Sequence, residues 1–341
     1  FYLHVFLELI LRKEPNLPCA SENTKKLVNL VKKIASTNAT VLINGASGTG
    51  KEVISNLIHS FSSRQEKPFV ALNCAAIPEQ MLESILFGHE KGAFTGAVNS
   101  NQGLLRAADS GTILLDEISE MPLNLQSKLL RVIQEIRVMP IGSSSEVEVD
   151  VRIIAATHQN LNNLVSQKNF REDLFYRLNV IKINVPPLRD RKEDISDLSK
   201  YFLKKYSDSL DEDLRVISDE ALNLLIKFDW PGNVRQLENV CYWLTLMSPS
   251  QNIKTQDLPI EVKEFEVSDI PSTSWEDGMQ IWLKNVSMNI ESGLSDIAIS
   301  KIEKMLIRTA LERSNGKKND AALILGWGRN TLSKKMKEHG I

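Results

Sequence analysis

The segment Gly45-Ala-Ser-Gly-Thr-Gly-Lys51 is the strongest indication of the fold. It lies between a short apolar run, Thr40–Asn44, and a helical pattern, Glu52–Phe61. Glycines in such a loop let backbone N–H groups close on phosphate oxygens, the start of the helix adds partial positive charge, and Lys51 can reach the β- and γ-phosphates. A glycine-rich turn is also common as plain structure, but the strand before it and the helix after it favour a phosphate loop. The residues predicted to bind the nucleotide here are Gly45, Ala46, Ser47, Gly48, Thr49, Gly50, Lys51 and Glu52.

Short β-branched runs alternate with helical patterns on both sides of this loop, between Asn23 and Val185. Such alternation is typical of an α/β fold, in which helices cover both faces of a parallel sheet. The runs predicted to form strands are Thr40–Asn44, Phe69–Leu72, Thr112–Asp116, Val151–Ala156 and Ile181–Val185, and the clearest helices are Glu52–Phe61 and Leu125–Ile136. The sequence therefore predicts an α/β nucleotide-binding core over residues 21–190.

Two carboxylates, Asp116 and Glu117, follow an apolar run downstream of the phosphate loop. Buried acids at the end of a strand cost free energy unless they bind something cationic. Asp116 is therefore the predicted magnesium ligand, and Glu117 is the residue predicted to polarise an attacking water molecule. The alternative, a pair of solvated acids at an exposed strand end, is disfavoured by the phosphate loop before it. The predicted cofactors are ATP and Mg²⁺.

The composition limits the classes of protein to which this chain can belong. The chain has 341 residues, of which 42% are hydrophobic and 25% charged, ordinary values for a globular protein of two or three domains. No apolar run reaches the length of about 18 residues that a membrane span needs. Cys19, Cys74 and Cys241 stand far apart, which fits a reducing compartment better than a disulfide framework or a zinc site. We therefore expect a cytoplasmic protein with no membrane partner.

The pattern of apolar and polar residues differs on both sides of this core. Residues 1–20 are predicted to form a linker or a partner-packing helix rather than a signal peptide. From Lys192 to Met247 the strand signals stop and apolar residues recur at helical spacing, which predicts a helical subdomain over residues 191–256. A polar stretch with two prolines then predicts a linker and helical connection over residues 257–299.

The C-terminal end is basic, although the whole chain carries a formal charge of -2. Residues 301–341 contain ten Lys or Arg and four Asp or Glu, a net charge of +6 that leaves -8 for everything before them. A small basic module on a mildly acidic body is a first hint of nucleic-acid binding. Its first helix is predicted to bury one face, which consists of Ile302, Met305, Leu306, Thr309 and Ala310.

The segment Gly92-Ala-Phe-Thr-Gly-Ala97 predicts an exposed loop tip. Gly92 and Gly96 permit a tight reversal that would present Phe94 and Thr95 to solvent. An exposed Phe forgoes about 1.5–3 kcal/mol of burial, so a partner that covers it is a reasonable inference. The alternative is a Phe that packs back against its own domain, which is the commoner fate of an aromatic residue in a loop.

This segment resembles the hallmark loop of the AAA+ activators of sigma-54 RNA polymerase, also called bacterial enhancer-binding proteins. The resemblance implies an AAA+ P-loop ATPase with a helical lid, which converts ATP to ADP and phosphate. It implies sigma-54 RNA polymerase as a partner, and the residues that would contact sigma-54 are Gly92, Ala93, Phe94, Thr95, Gly96 and Ala97.

Three further stretches are similar to active-site segments of that family. Asn73 resembles the Asn that pairs with the catalytic glutamate, here Glu117, and switches it. Thr157 and His158 resemble the sensor I residues beside the nucleotide. Arg235 resembles the sensor II arginine, which reaches the nucleotide from the lid; a buried Arg that bridges two helices is the alternative for this residue.

The segment Phe170–Arg177 is similar to the part of the family that carries arginines acting on a neighbouring subunit. The resemblance makes Arg171 and Arg177 candidates for inserting into the neighbour's site and offsetting charge on the γ-phosphate. The alternative is a surface ion pair with Glu172 or Asp173.

The end of the chain, Asp320–Lys337, resembles the Fis-type helix-turn-helix of this family, in a DNA-binding domain over residues 300–341. The turn would be Gly326–Gly328 and the recognition helix Arg329–Glu338. Residues expected to face base edges are Arg329, Asn330, Thr331 and Ser333, and those expected to meet phosphates are Lys334, Lys335 and Lys337. A Lys-rich terminal helix that is merely solvated is the alternative.

The resemblance also implies an assembly. Dimers would bind enhancer DNA, and the AAA+ bodies would form hexamers or heptamers with each active site between subunits. Several stretches are most similar to the nitrogen-regulation response regulators of this family, which points to a two-component system. About twenty residues precede the core, fewer than the roughly 120 of a receiver domain, so a sensor kinase or separate receiver is expected only if the chain is a fragment.

Two other functions stay open from the sequence. Relatives usually have Glu where this chain has Ala46, and the stretch around Cys19 also departs from the family. The first alternative is therefore a DNA-binding transcription regulator with a degenerate, non-hydrolysing nucleotide site. The second is an AAA+ partner of a protease or chaperone, against which the Gly92–Ala97 loop and the helix-turn-helix argue.

Overall fold

A computed structural model describes residues 20–263, 265, 279, 294–314 and 316–340. The chain forms two compact units, residues 1–266 and 267–341. Residues 1–19 of the predicted N-terminal segment (residues 1–20) and most of the predicted linker (residues 257–299) lie outside the described residues. Among the helices that are described, none has the length and apolarity needed to cross a membrane.

The first unit begins with an α/β core. Its elements in chain order are α1 (Glu22–Ala35), β1 (Val41–Asn44), α2 (Lys51–Ser60), β2 (Phe69–Asn73), α3 (Glu79–Phe87), α4 (Leu104–Ala107), β3 (Thr112–Asp116), α5 (Leu123–Glu135), β4 (Arg137–Val138), β5 (Val147–Glu148), β6 (Arg152–Thr157), α6 (Leu161–Ser166), α7 (Glu172–Leu178) and β7 (Ile181–Asn184). The short strands β4 and β5 form an antiparallel hairpin.

The predicted α/β architecture is confirmed. Five strands form a parallel sheet in the order β2-β3-β6-β1-β7. Successive residues of each strand face opposite sides, as the pleat requires. Leu42 and Leu115 therefore pack in one apolar cluster, which includes residues of α3, α5 and α7, and Ile43 and Leu114 pack in another with α1 and α2. Helices thus cover both faces, and the strand bounds agree with the predicted ones to within a residue at each end.

The second part of this unit is a helical lid, defined here as residues 188–263. Its elements are α8 (Asp194–Leu210), β8 (Val216–Ile217), α9 (Asp219–Lys227), α10 (Asn233–Met247), β9 (Asn252–Ile253) and α11 (Ile260–Lys263). The predicted absence of strands is wrong at one point, because β8 and β9 pair in parallel and Ile253 is fully buried in the lid core. Val262 and Phe265 pack against the same core, beyond the point where a linker is predicted to begin.

The second unit, where described, contains three helices: α12 (Leu294–Arg313), α13 (Lys318–Leu325) and α14 (Arg329–His339). Ile307 and Ala310 of α12 are buried against α13 and α14. The predicted buried face is wrong for Met305 and Leu306, which are exposed, and for Thr309, which is exposed as well. The reason is that α12 carries apolar residues on two faces, and the two following helices cover only the one that includes Ile307.

Candidate functional site

The order of the strands brings the predicted nucleotide-binding residues together. Strand β1 lies beside β6, and β6 lies beside β3, all in parallel. The segments that follow these three strands therefore meet at the carboxyl edge of the sheet, where ligands of open α/β sheets bind. At this edge the N–H of Gly45 donates to the carbonyl of Thr157 at 3.2 Å.

The phosphate loop runs from the end of β1 into the first turn of α2. Gly48 and Gly50 have φ values of +75° and +97°, conformations that glycine adopts without strain. Lys51 is the first residue of α2, and its side chain is only 7% exposed. Its Nζ lies 3.0 Å from the carbonyl oxygen of Gly45 and 3.4 Å from Glu117 Oε1, so its charge is directed at the acidic pair.

Asn73 pairs with Asp116 rather than with Glu117, which corrects the predicted pairing. Asn73 and Asp116 are directly opposite each other in the β2–β3 register, and Asn73 Nδ2 donates to Asp116 Oδ2 at 3.3 Å. The second oxygen, Oδ1, is buried and has no hydrogen-bond partner among the described residues. Burial and the charge of Glu117 raise the pKa of Asp116. A buried carboxylate oxygen without a partner at this edge is suited to a hard cation.

Glu117 faces a different partner, His158, and its backbone has a left-handed φ of +49°. Its Oε2 accepts a hydrogen bond from the N–H of His158 at 3.2 Å, and His158 Nδ1 lies 2.7 Å from the same oxygen. Burial alone would raise the pKa of Glu117, but these hydrogen bonds and the charge of Lys51 outweigh it and lower the pKa below its ordinary value. The carboxylate is therefore ionised, with one oxygen near Lys51 and the other in contact with His158.

Thr157, the other residue predicted to belong to sensor I, is buried beside this pair. Its hydroxyl donates to Ser119 Oγ at 3.0 Å and accepts from the N–H of Gln159 at 3.0 Å. Thr157 thus holds the turn that carries His158 towards Glu117.

A cleft of about 590 Å³ extends from the phosphate loop to the lid. Arg235 of α10 is exposed and lines this cleft together with Glu52, Lys51 and both acids of the pair, which does not match a buried Arg that bridges helices. Burial and the nearby charge of Asp116 raise the pKa of Glu52, while Arg235 acts against this shift. The cleft thus has cations and carboxylates facing one another around the phosphate loop.

Arg171 and Arg177 do not line this cleft. Arg171 forms a bidentate pair with Asp173, with Nε–Oδ1 and Nη2–Oδ2 distances of 3.0 and 2.7 Å, and it also donates to Ser127 Oγ. Arg177 is exposed and, within the described part of the chain, has no hydrogen-bond or ion-pair partner. Arg171 therefore forms the surface ion pair that was its alternative interpretation, with Asp173. Arg177 is available to an external anion.

The Gly92–Ala97 segment forms a closed turn with an exposed tip. The N–H of Gly92 donates to the carbonyl of Ala97 at 2.9 Å, and Gly92 and Gly96 have φ values of +80° and +108°. Thr95 is exposed and Phe94 is 46% exposed. The Phe94 ring contacts the ring of His89 in a tilted arrangement, with 5.0 Å between the centroids, so the tip is exposed but still packs on its own domain.

His89, which the sequence analysis missed, anchors the base of this turn. Its two ring nitrogens lie 2.7 Å from Ser84 Oγ and 2.9 Å from the carbonyl oxygen of Asn99. Its backbone exchanges two hydrogen bonds with Asn101. The only signal in the sequence is its position two residues after a helix ends, which is too common a pattern to reveal this role.

The second unit has the helix-turn-helix geometry. Gly326, with φ of +68°, ends α13, and α14 begins at Arg329. Residues of α14 that are exposed include all the predicted base-facing ones, together with Lys334 and Lys337: Arg329, Asn330, Thr331, Ser333, Lys334 and Lys337. Lys335 differs, because its ammonium group is paired with Glu303 of α12. His339 Nε2 lies 3.0 Å from the other oxygen of Glu303, so Glu303 ties α14 to α12.

Comparison with known proteins follows the same division of the chain. The sequence pattern of the Sigma-54 interaction domain matches residues 17–184, that of the AAA+ ATPase lid domain matches residues 189–274, and that of the bacterial regulatory protein Fis family matches residues 298–339.

Whole-chain relatives agree with these matches. The chain is 45% identical over 322 residues to the DNA-binding transcriptional regulator NtrC of Proteus hauseri, covering 93% of this chain and 68% of that one. It is 46% identical over 314 residues to the regulatory protein AtoC of Escherichia coli, covering 91% and 64%. Among solved structures, NtrX from Brucella abortus in complex with ATP matches with a TM-score of 0.70 at 32% identity, covering 100% of this chain and 72% of that one.

Proposed function

Because the chain belongs to the family of sigma-54-dependent AAA+ transcriptional activators, we propose that it hydrolyses ATP at the subunit boundaries of a ring and uses the Phe94–Thr95 tip to remodel the closed complex of polymerase and promoter. The observation that carries this proposal is the convergence of Lys51, Asp116 and Glu117 at one edge of the sheet. Those groups are what ATP hydrolysis needs: a phosphate-binding cation, a metal ligand and a base for water.

Magnesium fits the residues present. Asp116 would hold the ion through its buried, unpartnered oxygen. Among the described residues there is no group of three or more His, Cys, Asp or Glu side chains arranged to hold a metal, so the remaining ligands would be phosphate oxygens and water, as Mg²⁺ prefers. When bound, the ion would neutralise charge on the β- and γ-phosphates.

Glu117 is proposed to orient the attacking water. Its carboxylate lies 2.7 Å from His158 Nδ1 and 3.4 Å from Lys51 Nζ. Binding of the γ-phosphate to Lys51 would compete for that cation and weaken one side of the arrangement. The contact that controls the release of Glu117 is therefore proposed to be with His158, and not with Asn73.

Arginine from a neighbouring subunit is proposed to complete the site. Arg177 is exposed and ready to be inserted, whereas Arg171 would first have to exchange Asp173 for phosphate. Both side chains of this ion pair are exposed to solvent, where such pairs contribute little to stability, so the exchange has a small cost. Hexamers or heptamers would supply such boundaries.

The second unit is proposed to hold the ring at enhancer DNA as a dimer. Ile299, Met305 and Leu306 of α12 are 55%, 64% and 46% exposed, which supports a helix face that another copy could cover. Lys334 and Lys337 are proposed to contact phosphates, while Lys335, paired with Glu303, is proposed to fix the position of α14.

The physiological setting is proposed on likeness to NtrC alone. It comprises nitrogen regulation, a two-component input through a receiver and sensor kinase, and a cytoplasmic location.

Transcription in vitro tests the proposed function. With sigma-54 polymerase, a promoter with an upstream enhancer, and the full chain, we expect open complexes with ATP and none above background with a non-hydrolysable ATP analogue. Equal numbers of open complexes with the analogue would contradict an ATP-driven step and favour a DNA-binding regulator that does not use hydrolysis. Omitting the chain gives the background.

A further inference from the structure

The lid touches the phosphate loop through three successive carbonyl groups. The oxygen of Ser47 accepts from Asn233 Nδ2 at 2.9 Å, that of Gly48 accepts from the N–H of Arg235 at 3.3 Å, and that of Thr49 accepts from Arg191 Nη2 at 2.7 Å. Each donor belongs to the lid, and each acceptor belongs to the loop that binds phosphate.

The approach of the two backbones is close enough to require glycine. A Cβ atom on Gly48 would lie 2.3 Å from the carbonyl oxygen of Gly232, the residue before α10. No side chain of the loop therefore separates it from the start of α10. The two backbones are therefore in direct contact at this point.

Both the oxygen and the nitrogen of the Asn233 side-chain amide form hydrogen bonds here. Its Oδ1 accepts from the N–H of Leu188 at 2.9 Å, while its Nδ2 reaches Ser47. The residue is 3% exposed and has a left-handed φ of +54°, a conformation in which Asn is favoured over most other residues. The sequence around this residue points to Arg235 as the one that reaches the nucleotide and does not single out Asn233.

Peptide geometry links this contact to phosphate binding. In a planar trans peptide the C=O of one residue and the N–H of the next point in opposite directions. Because the carbonyls of Ser47 and Thr49 point to the lid, the N–H groups of Gly48 and Gly50 point away from it. N–H groups of such a loop are the ones that surround phosphate oxygens.

We infer that Asn233 is a positioning residue for nucleotide binding: it fixes the Ser47–Gly48 peptide so that its N–H faces the phosphates, and it thereby couples the occupancy of the loop to the placement of Arg235. Arg191 fixes the Thr49–Gly50 peptide in the same way. The inference rests on the proposed contact between Arg235 and the nucleotide, and it adds the element that connects the two.

Replacing Asn233 with Asp tests this directly. Asp has nearly the same shape, tolerates the left-handed backbone and is favourable at a helix N-terminus, and it can still accept from Leu188. It places an acceptor where Ser47 needs a donor. We expect affinity for a fluorescent ADP analogue, measured on the full chain, to fall by about tenfold or more, since the carbonyl would face a carboxylate.

The matched control is Asn239→Asp, which adds the same charge to an exposed position of the same helix. We expect it to bind the analogue as the wild type does. Asn239→Asp should unfold at the wild-type midpoint without nucleotide, whereas Asn233→Asp should unfold at a lower one, because its carboxylate is buried against a carbonyl oxygen. The rise in the midpoint on adding ADP should be smaller than in the wild type for Asn233→Asp only. If that variant does not fold, Asn233→Gly keeps the backbone conformation, removes the side-chain bond, and should also bind more weakly.

A double variant separates this inference from the proposed function. If Asn233 also acts by placing Arg235, then Asn233→Asp combined with Arg235→Ala should lose less binding free energy than the sum of the two single losses, because the contribution of Arg235 is lost in both. Wild-type affinity in Asn233→Asp would overturn the inference, and strictly additive losses would overturn the coupling to Arg235. Wild-type affinity in Arg235→Ala would instead overturn the proposed role of Arg235.

Discussion

Glu117→Ala is expected to bind ATP as well as the wild type and to hydrolyse it about a hundred to ten thousand times more slowly, the range that loss of a general base produces. The carboxylate is the only one of the acidic pair that faces both Lys51 and His158. Its removal leaves Lys51 bonded to the carbonyl of Gly45, so the phosphate loop keeps its structure. Removing a negative charge from the cleft should also make phosphate binding slightly easier.

Phosphate release and binding of a fluorescent ATP analogue measure the two effects separately. Glu120→Ala is the control, because Glu120 is an exposed carboxylate three residues further along the chain whose side chain bonds to Gln159. It should hydrolyse ATP at the wild-type rate. Normal turnover in Glu117→Ala would refute the assignment of Glu117, and lost binding would mean that the residue has a structural role.

Phe94→Ala is expected to leave ATP hydrolysis within about twofold of wild type and to lower open-complex formation about a hundredfold, the effect of removing a central aromatic residue from an interface. Phe94 is 46% exposed at the tip of a turn that glycines and backbone hydrogen bonds hold in shape. It does not line the nucleotide cleft. Thr95→Ala should give the same pattern with a smaller loss.

Measuring promoter opening and phosphate release on the same variant tests this prediction. Val98→Ala is the control, because Val98 is apolar, 72% exposed and just outside the Gly92–Ala97 turn. It should open promoters as the wild type does. If Phe94→Ala lost hydrolysis and opening in parallel, the loop would act on the ATPase rather than on the polymerase.

The sequence was sufficient to predict the parts of this molecule that depend on local patterns. The phosphate loop is a contiguous motif, and the buried strands are short β-branched runs with few other interpretations. The turn before α14 is signalled by two glycines. Each of these is decided by residues that are neighbours in the chain.

Contacts that depend on the docking of distant segments could not be predicted in this way. Asn73 lies opposite Asp116 because of the register of β2 against β3, and shifting that register by one residue would change its partner. The buried face of α12 is chosen by α13 and α14, since α12 offers apolar residues on more than one side. Asn233 meets Ser47 across 186 positions of sequence, and only the placement of the lid brings them together.

Mixing two inactive variants tests most directly whether each site is completed by a neighbouring subunit. A Glu117→Ala subunit lacks the base but can supply Arg177 to its neighbour. An Arg177→Ala subunit keeps the base but cannot supply that arginine. Arg171→Ala is tested in the same way. If the site is shared, an equal mixture should regain ATPase activity, at about a quarter of the wild-type sites in a randomly assembled ring with head-to-tail contacts. A mixture as inactive as its components, for both arginines, would contradict a shared site.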